Sequence, residues 1–339
     1  MEERKTIVNS YVSKGMKAEK ASRLAGFSRS GYYYKPNGRK PGKKPTATTM
    51  KNTGDIVDNT VVVQKIKDIV SPDFIDYGYE KVTAELRNKH NYVINRKKVF
   101  RLMRENHLLN PKRLSPNPSK NYVRFFQPHP SQPFEMFEID IKYIYIIGDK
   151  RNAFLITILD VFTRKALVWD LDFSMKGNRV NILIDELIKH FLQPRDILNK
   201  DIKATIRSDN GSQFVAKAVQ EHLKENQIVQ EFIKPATPQQ NAYIESFHST
   251  VERLVCSKFE FESFAHAKQV FQEFYDTYNE KRILKCLLYK TPGEFLDDWD
   301  NGKIYVTYNV KTKKQKFFFR EKQSLRILRP SSKESLCVC

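Results

Sequence analysis

The spacing of hydrophobic positions changes along this chain, and each change marks a candidate boundary. In residues 1–36, Ile7, Tyr11 and Val12, then Ala18, Ala21, Leu24 and Ala25, recur at helical intervals. Gly26 supplies a turn, and Ser28 is suited to cap a short third helix running through Tyr32. This order fits a helix-turn-helix, and a generic three-helix bundle would share it. Residues 58–109 show a second helical pattern. Val62, Ile66, Ile69 and Val70 form a stripe; Pro72 and Tyr77-Gly78-Tyr79 break it; Val82 and Leu86 point inward from a helix over 81–89. Asn95 then reads as the N-cap of a helix burying Val99, Leu102 and Met103. Residues 37–57 and 110–132, rich in Pro, Asn, Thr, Ser and basic residues, read as linkers.

From residue 133 to 300 the period shortens. Residues 137–147 alternate and are rich in β-branched and aromatic types, which predicts a strand. Gly148-Asp149 signals a hairpin turn, and strands follow over 154–161 and 166–171. Helical periodicity covers 180–192, a short strand 203–207, and helices 214–226, 239–256 and 264–279. Three antiparallel strands, a helix, then a strand and further helices is the order of an α/β ribonuclease H-like core. The predicted fold class is that core, preceded by all-α helix-turn-helix units and followed by a small β-rich tail over 301–339. In the tail, strands over 304–310 and 315–319 flank Lys311-Thr312-Lys313-Lys314, and 324–328 would add a third. Such a hairpin fits either a nucleic-acid-backbone module or a packing appendage.

Charge sharpens this division. The 339 residues carry 59 Lys+Arg and 39 Asp+Glu, a formal net charge of +20. Residues 1–132 hold 27 basic against 11 acidic residues, a net of +16; residues 133–300 hold 22 against 26, a net of −4; residues 301–339 hold 10 against 2, a net of +8. Basic ends around a slightly acidic middle are the footprint of a polyanion partner. With 40% apolar residues the chain has enough hydrophobic content to fold. No apolar run approaches the roughly 18 residues of a membrane span, and Met1-Glu2-Glu3-Arg4-Lys5 lacks a leader's apolar stretch. The four cysteines, Cys256, Cys286, Cys337 and Cys339, form no CxxC pair and no zinc pattern. A reducing, cytoplasmic setting without a membrane partner is therefore expected.

Candidate contacts to a polyanion lie on both helical units. In the first they are Ser28, Arg29, Ser30 and Tyr32. In the second they are Arg96, Lys97, Lys98 and Arg101, joined by Arg104 on the outer face of the third helix. A solvated helix face is the plainer alternative.

Three acids stand out by placement. Asp140 sits mid-strand in an apolar segment, where a charge is costly. Asp209 follows a short strand, and Glu245 lies among apolar neighbours on a helix. Singly, each has an ordinary structural reading. Together they suit hard divalent cations, which take oxygen ligands, and two such cations can drive phosphoryl transfer. No P-loop glycine pattern competes.

The strings Ser208-Asp209-Asn210-Gly211-Ser212-Gln213-Phe214 and Thr237-Pro238-Gln239-Gln240-Asn241-Ala242-Tyr243-Ile244-Glu245-Ser246-Phe247-His248, with 35 residues between Asp209 and Glu245, resemble the DDE motifs of retroviral-integrase-like transposases. Tyr77-Gly78-Tyr79 with Val82-Thr83-Ala84-Glu85-Leu86 resembles the helix-turn-helix upstream of such cores, and Tyr278-Asn279, Arg282 and Thr291-Pro292 resemble the closing motif. The likeness is nearest to second-reading-frame transposases of bacterial insertion sequences. It implies catalytic and metal-ligating roles for Asp140, Asp209 and Glu245, two Mg2+ (or Mn2+) ions, and nicking of element ends followed by joining of the 3′-OH to DNA. It also implies double-stranded DNA as partner, at least a dimer on paired ends, and a possible first-frame partner protein. Asn210, Gln240, Asn241 and His248 become candidate DNA contacts. A catalytically silent, transposase-derived DNA-binding regulator is the alternative. The pattern departs at Lys142, where Thr is frequent, at Glu252, where a basic residue is common, and at Leu284, where His is frequent.

Overall fold

The computed structural model describes residues 2–35, 45–111, 129–200, 203–234, 238–309 and 314–320. The chain divides into two compact units, residues 1–47 and 48–339. The first contains α1 (Glu2–Ser13), α2 (Ala18–Leu24) and α3 (Arg29–Tyr33). Ser28 caps α3 as expected, its hydroxyl accepting from Gly31 N. Gly26, at φ +60°, turns the chain out of α2, a conformation that favours glycine. Of the predicted stripe only Ala21 is buried, beside Val8; Ile7, Tyr11 and Leu24 are exposed. Helices this short have little surface with which to cover them.

The second unit begins earlier than expected. β1 (Thr48–Lys51) and β2 (Ile56–Asp58), inside the predicted 37–57 linker, form an antiparallel sheet in the order β2-β1-β3 with β3 (Tyr92–Val93). Strands of two to four residues are too short to show a period-two pattern. α4 (Asn59–Val70) is capped by Asp58, α5 (Tyr79–Asn88) starts after Gly78, and α6 (Arg96–Glu105) is capped by Asn95. Val62, Ile66, Val82, Leu86, Val99, Leu102 and Met103 meet in one core, as their spacing predicts.

The central sheet has the order β6-β5-β4-β7-β8. It comprises β4 (Met136–Ile146), β5 (Arg151–Asp160), β6 (Ala166–Asp172), β7 (Thr205–Ser208) and β8 (Val229–Phe232). β4, β5 and β6 are antiparallel neighbours, whereas β7 joins β4, and β8 joins β7, in parallel. Gly148 turns the β4–β5 hairpin against the Glu262 carbonyl, where a Cβ would sit 1.8 Å away. One face packs on α7 (Gly177–Leu187) and α9 (Lys217–Glu225) through Phe137, Ile139, Val180, Leu183, Val219 and Leu223. The other packs Ile144, Ile146 and Leu155 on Phe247 of α10 (Ala242–Val251) and on Phe271 and Phe274 of α11 (Phe264–Glu280). Coverage on both faces explains the nearly unbroken apolar run of β5.

The helix expected over 214–226 is two, α8 (Ser212–Val215) and α9, separated by the extended Ala216. β8 and α12 (Pro292–Asp300) were not anticipated. β8 is only four residues long, and the start of α12 is a Thr291–Glu294 capping box hidden within the closing motif. β9 (Ile304–Asn309) and β10 (Lys314–Phe319) form the predicted hairpin, with Ile304, Val306 and Phe317 packed against Phe162, Phe295 and Trp299. The strand expected at 324–328 and the terminal cysteines lie outside the described residues. Among the described residues no helix is long and apolar enough to cross a membrane.

Candidate active site

Side chains alternate along β4, so Glu138, Asp140 and Lys142 face α10 while Phe137 and Ile139 face away. Three polar contacts join strand and helix. Glu138 Oε2 accepts from Ile244 N at 2.7 Å. Asp140 Oδ2 lies 3.3 Å from His248 Nδ1. Lys142 Nζ lies 2.8 Å from Glu252 Oε2, at the start of the π-helical turn that prolongs α10. The contacts advance by two residues on the strand and by four on the helix. Those steps span about 6.8 Å and about 6.0 Å, close enough to keep the elements in step through three rungs. Glu245 is carried between the first two. The two departures from the family pattern, Lys142 and Glu252, are thus each other's partner.

Asp209 arrives from the adjacent strand. β7 pairs with β4 as Met136↔Thr205, Phe137↔Ile206 and Glu138↔Arg207. The same register continued two places sets Asp209 beside Asp140. Asp209 Oδ1 accepts from Gly211 N at 2.9 Å, which fixes the turn after the strand. Asp140 and Asp209 line one cavity of about 310 Å³, walled also by Ile141, Tyr143, Phe154 and Gly211. Glu245 is exposed on α10. Partial desolvation and then the negative charge of Asp140 push its carboxyl above the usual range, against the opposing effect of His248.

No three His, Cys, Asp or Glu side chains among the described residues converge closely enough to hold a metal ion as they stand. The donor chemistry nevertheless fits a hard divalent cation. Two aspartates share a cavity, and a third carboxylate is strained by the charge of one of them. A cation would relieve that repulsion.

Glu138 was missed from sequence, although a Glu inside a buried strand two places before Asp140 was a signal. It is fully buried. Burial pushes its carboxyl up to about 7 despite the Ile244 amide, and its second oxygen has no partner among the described residues.

The candidate DNA contacts separate by exposure. Asn241 and His248 are 3% and 9% exposed, both buried; His248 is turned to Asp140. Asn210 donates to the Ile233 carbonyl, and Gln240 accepts from Lys234 N. On α6, Arg96 and Lys97 are exposed, Arg96 lying 3.7 Å from Glu80. Lys98 donates to the Thr48 carbonyl at 2.5 Å, and Arg101 lies 3.4 Å from Glu105. In the first unit Ser30 bonds the capping Ser28, Tyr32 donates to Asn9, and exposed Arg29 lies 4.0 Å from Glu19.

The closing motif turns out to be a latch. Asn279 brackets Ala166 with two hydrogen bonds. Arg282, 3% exposed, reaches Asp76 Oδ1 at 2.6 Å and the Phe74 carbonyl at 3.1 Å. Arg253 reaches the other Asp76 oxygen at 2.6 Å. The Tyr77 hydroxyl accepts from Ile283 N, and Ile283 enters the core of the second helical unit. That unit is therefore docked on the catalytic sheet. At Leu284, where the family pattern often has His, the side chain is half-buried against the catalytic core.

Comparison with known proteins agrees with this architecture. The integrase core domain family matches residues 130–238 and, in a second description, 226–292; an HTH-like domain matches residues 58–114. A 31.7 kDa protein of insertion element IS407 from Burkholderia multivorans is 26% identical over 219 residues, 65% of this chain and 75% of the relative. The transposase of insertion sequence IS904 from Lactococcus lactis is 26% identical over 254 residues, 70% of this chain and 94% of the relative. Among solved structures, the catalytic core of BIV integrase aligns at 16% identity and TM-score 0.35, over 50% of this chain and 98% of that one. The catalytic domain of Mos1 mariner transposase aligns at 14% identity and TM-score 0.37, over 48% and 74%. Residues 130–292 thus match the integrase core domain and residues 58–114 an HTH-like domain, which imply DNA binding and divalent-metal use. Both relatives named above come from insertion sequences, each 26% identical to this chain.

Proposed function

We propose that this protein is a transposase that binds insertion-sequence ends, nicks them hydrolytically and joins the freed 3′-OH to DNA, with Asp140, Asp209 and Glu245 as the catalytic carboxylates. The observation that carries the reading is the alignment of Asp209 beside Asp140 in one cavity, with Glu245 coupled to Asp140 from the helix registered on the same strand. Those three side chains would hold Mg2+ or Mn2+, two ions in all. When bound, such ions activate the attacking oxygen and stabilise the leaving oxygen in phosphoryl transfer. The chain's own part is positional. Glu138 and the Lys142–Glu252 pair hold α10 in step with β4, and the Asp209–Gly211 turn keeps the second aspartate at the cavity mouth. Arg96 and Lys97, exposed on α6, are suited to DNA phosphates or base edges. Action on paired ends calls for at least a dimer, and a first-frame protein is a natural partner.

The test is to incubate the protein with Mg2+ and a duplex carrying the element's terminal repeat. A nick at the 3′ end and joined products are expected, both lost in Glu245→Gln. Unchanged activity in that variant would overturn the site assignment. Binding with no chemistry in the parent would favour the silent regulator.

A further inference from the structure

Between the docked helical unit and the catalytic domain runs a cleft of about 1090 Å³. One wall is the first turn of α5, at Gly78, Tyr79, Glu80 and Lys81; the other carries Arg253, Lys258, Arg282 and Lys285. Five basic side chains therefore face two acidic ones, Asp76 and Glu80. Both acids are engaged: Asp76 by Arg253 and Arg282, Glu80 by Lys285 at 2.6 Å and Arg96 at 3.7 Å. Neither Lys81 nor Lys258 forms a close ion pair among the described residues, although Asp76 acts on Lys81 from farther off. Lys81 instead lies over the Tyr77 ring, 5.1 Å from its centroid. Burial, and then the charge of Arg282, pull its ammonium down to about 8. A desolvated cation beside other cations gains most from an anion. Gly78 gives the first turn of α5 no side-chain cap, so the positive end of that helix adds to the same wall.

Position identifies the anion. At one end, Glu80 ties the cleft to Arg96, the first residue of α6. At the other, Arg253 lies eight residues beyond Glu245 on the same helical run, about 12 Å at 1.5 Å per residue. The cleft thus links the exposed basic start of α6 to the helix that carries Glu245. We infer that it seats the phosphodiester backbone of the bound DNA, with Lys81 and Lys258 as its phosphate contacts. This rests on the DNA-acting reading above. Asp76 is paired closely with Arg253 and Arg282 and not with Lys81 or Lys258, so changes at the two lysines leave those latch contacts in place.

The experiment measures binding of a 40-base-pair duplex of arbitrary sequence from about 50 to 200 mM salt, because phosphate contacts are independent of sequence. Each lost contact should flatten the slope of log K against log salt by about 0.9, so Lys81→Gln/Lys258→Gln should flatten it by about 1.8. Lys258→Gln alone, at an exposed position, should remove about 0.9 even if the Lys81 change disturbs folding; thermal unfolding reports on that disturbance. A slope that stays at the parent value in the folded double variant overturns the proposal while the transposase reading stands. A parent that binds no duplex overturns both. In a second arm orthophosphate alone is titrated against the melting temperature. A stabilisation lost in the double variant, together with an unchanged DNA slope, would assign the cleft to a free anion and also overturn the proposal.

Discussion

The two helical units differ in how they are held, although their sequences read alike. The first, α1 to α3, buries Val8 and Ala21 and leaves Ile7, Tyr11 and Leu24 in solvent. The second gathers a larger core from α4, α5 and α6 and takes Ile283 into it from the catalytic domain. It is also pinned by a buried arginine, Arg282, whose carboxylate partner Asp76 lies in the loop before α5. The difference teaches that the second unit is part of the catalytic body, whereas the first is a compact unit by itself. In the second, α6 is held on the same body as Glu245.

The largest effect should come from the latch. Asp76→Asn leaves Arg282 buried and short of its countercharge, which should destabilise the second unit by about 3 kcal/mol, read by chemical denaturation. The same residue gives a pH signature. Burial opposes its charge, but Arg282 and Arg253 prevail and hold its carboxyl below the ordinary 3.8. Its stabilisation is therefore complete above that value and is lost as pH falls below it. The parent should lose stability in acid more steeply than Asp76→Asn; equal acid limbs would show that the latch adds nothing.

Ile283→Ala comes next, at about 2–4 kcal/mol for a buried side chain. Because Ile283 bridges two domains, helical unit and sheet should still unfold together, earlier than in the parent. Val8→Ala should leave that main transition where it was. If instead Val8→Ala moved it, the first unit would not be separate.

Smaller effects concern binding. Arg96→Gln should flatten the salt slope of duplex binding by about 0.9 if its guanidinium meets a phosphate. Arg29→Gln tests whether the first unit contributes at all. An equal loss from both would erase the contrast between the units. The smallest change is Lys142→Thr, which removes the contact to the exposed Glu252 carboxylate. It should cost under about 1 kcal/mol and act more on turnover, by loosening the third rung, than on melting temperature.

The catalytic strand, its hairpin, the α6 cap at Asn95 and the ordered acids were legible because each rests on local pattern. Asp140 and Glu245 stood out as charges among apolar neighbours. Glu138 was as visible but had no motif to call attention to it, and its meaning depends on a helix over a hundred residues away. β1, β2 and β8 were too short for periodicity. The burial of Asn241 and His248 was not readable, because helical spacing tells which residues share a face, not what covers it. The latch was unreadable for the same reason: Asp76 and Arg282 are joined only by the fold. The pairing of Lys142 with Glu252 resolves two departures that looked independent along the chain.

The proposed function requires Asp140, Asp209 and Glu245 to form one cation-binding centre. Calorimetric titration of Mn2+ into the parent, Asp140→Asn, Asp209→Asn and Glu245→Gln tests it without DNA or turnover. The account predicts binding in the parent that is weakened at least tenfold by either aspartate change and reduced by Glu245→Gln, with all three variants folded. Undiminished Mn2+ binding in Asp140→Asn and Asp209→Asn would contradict it.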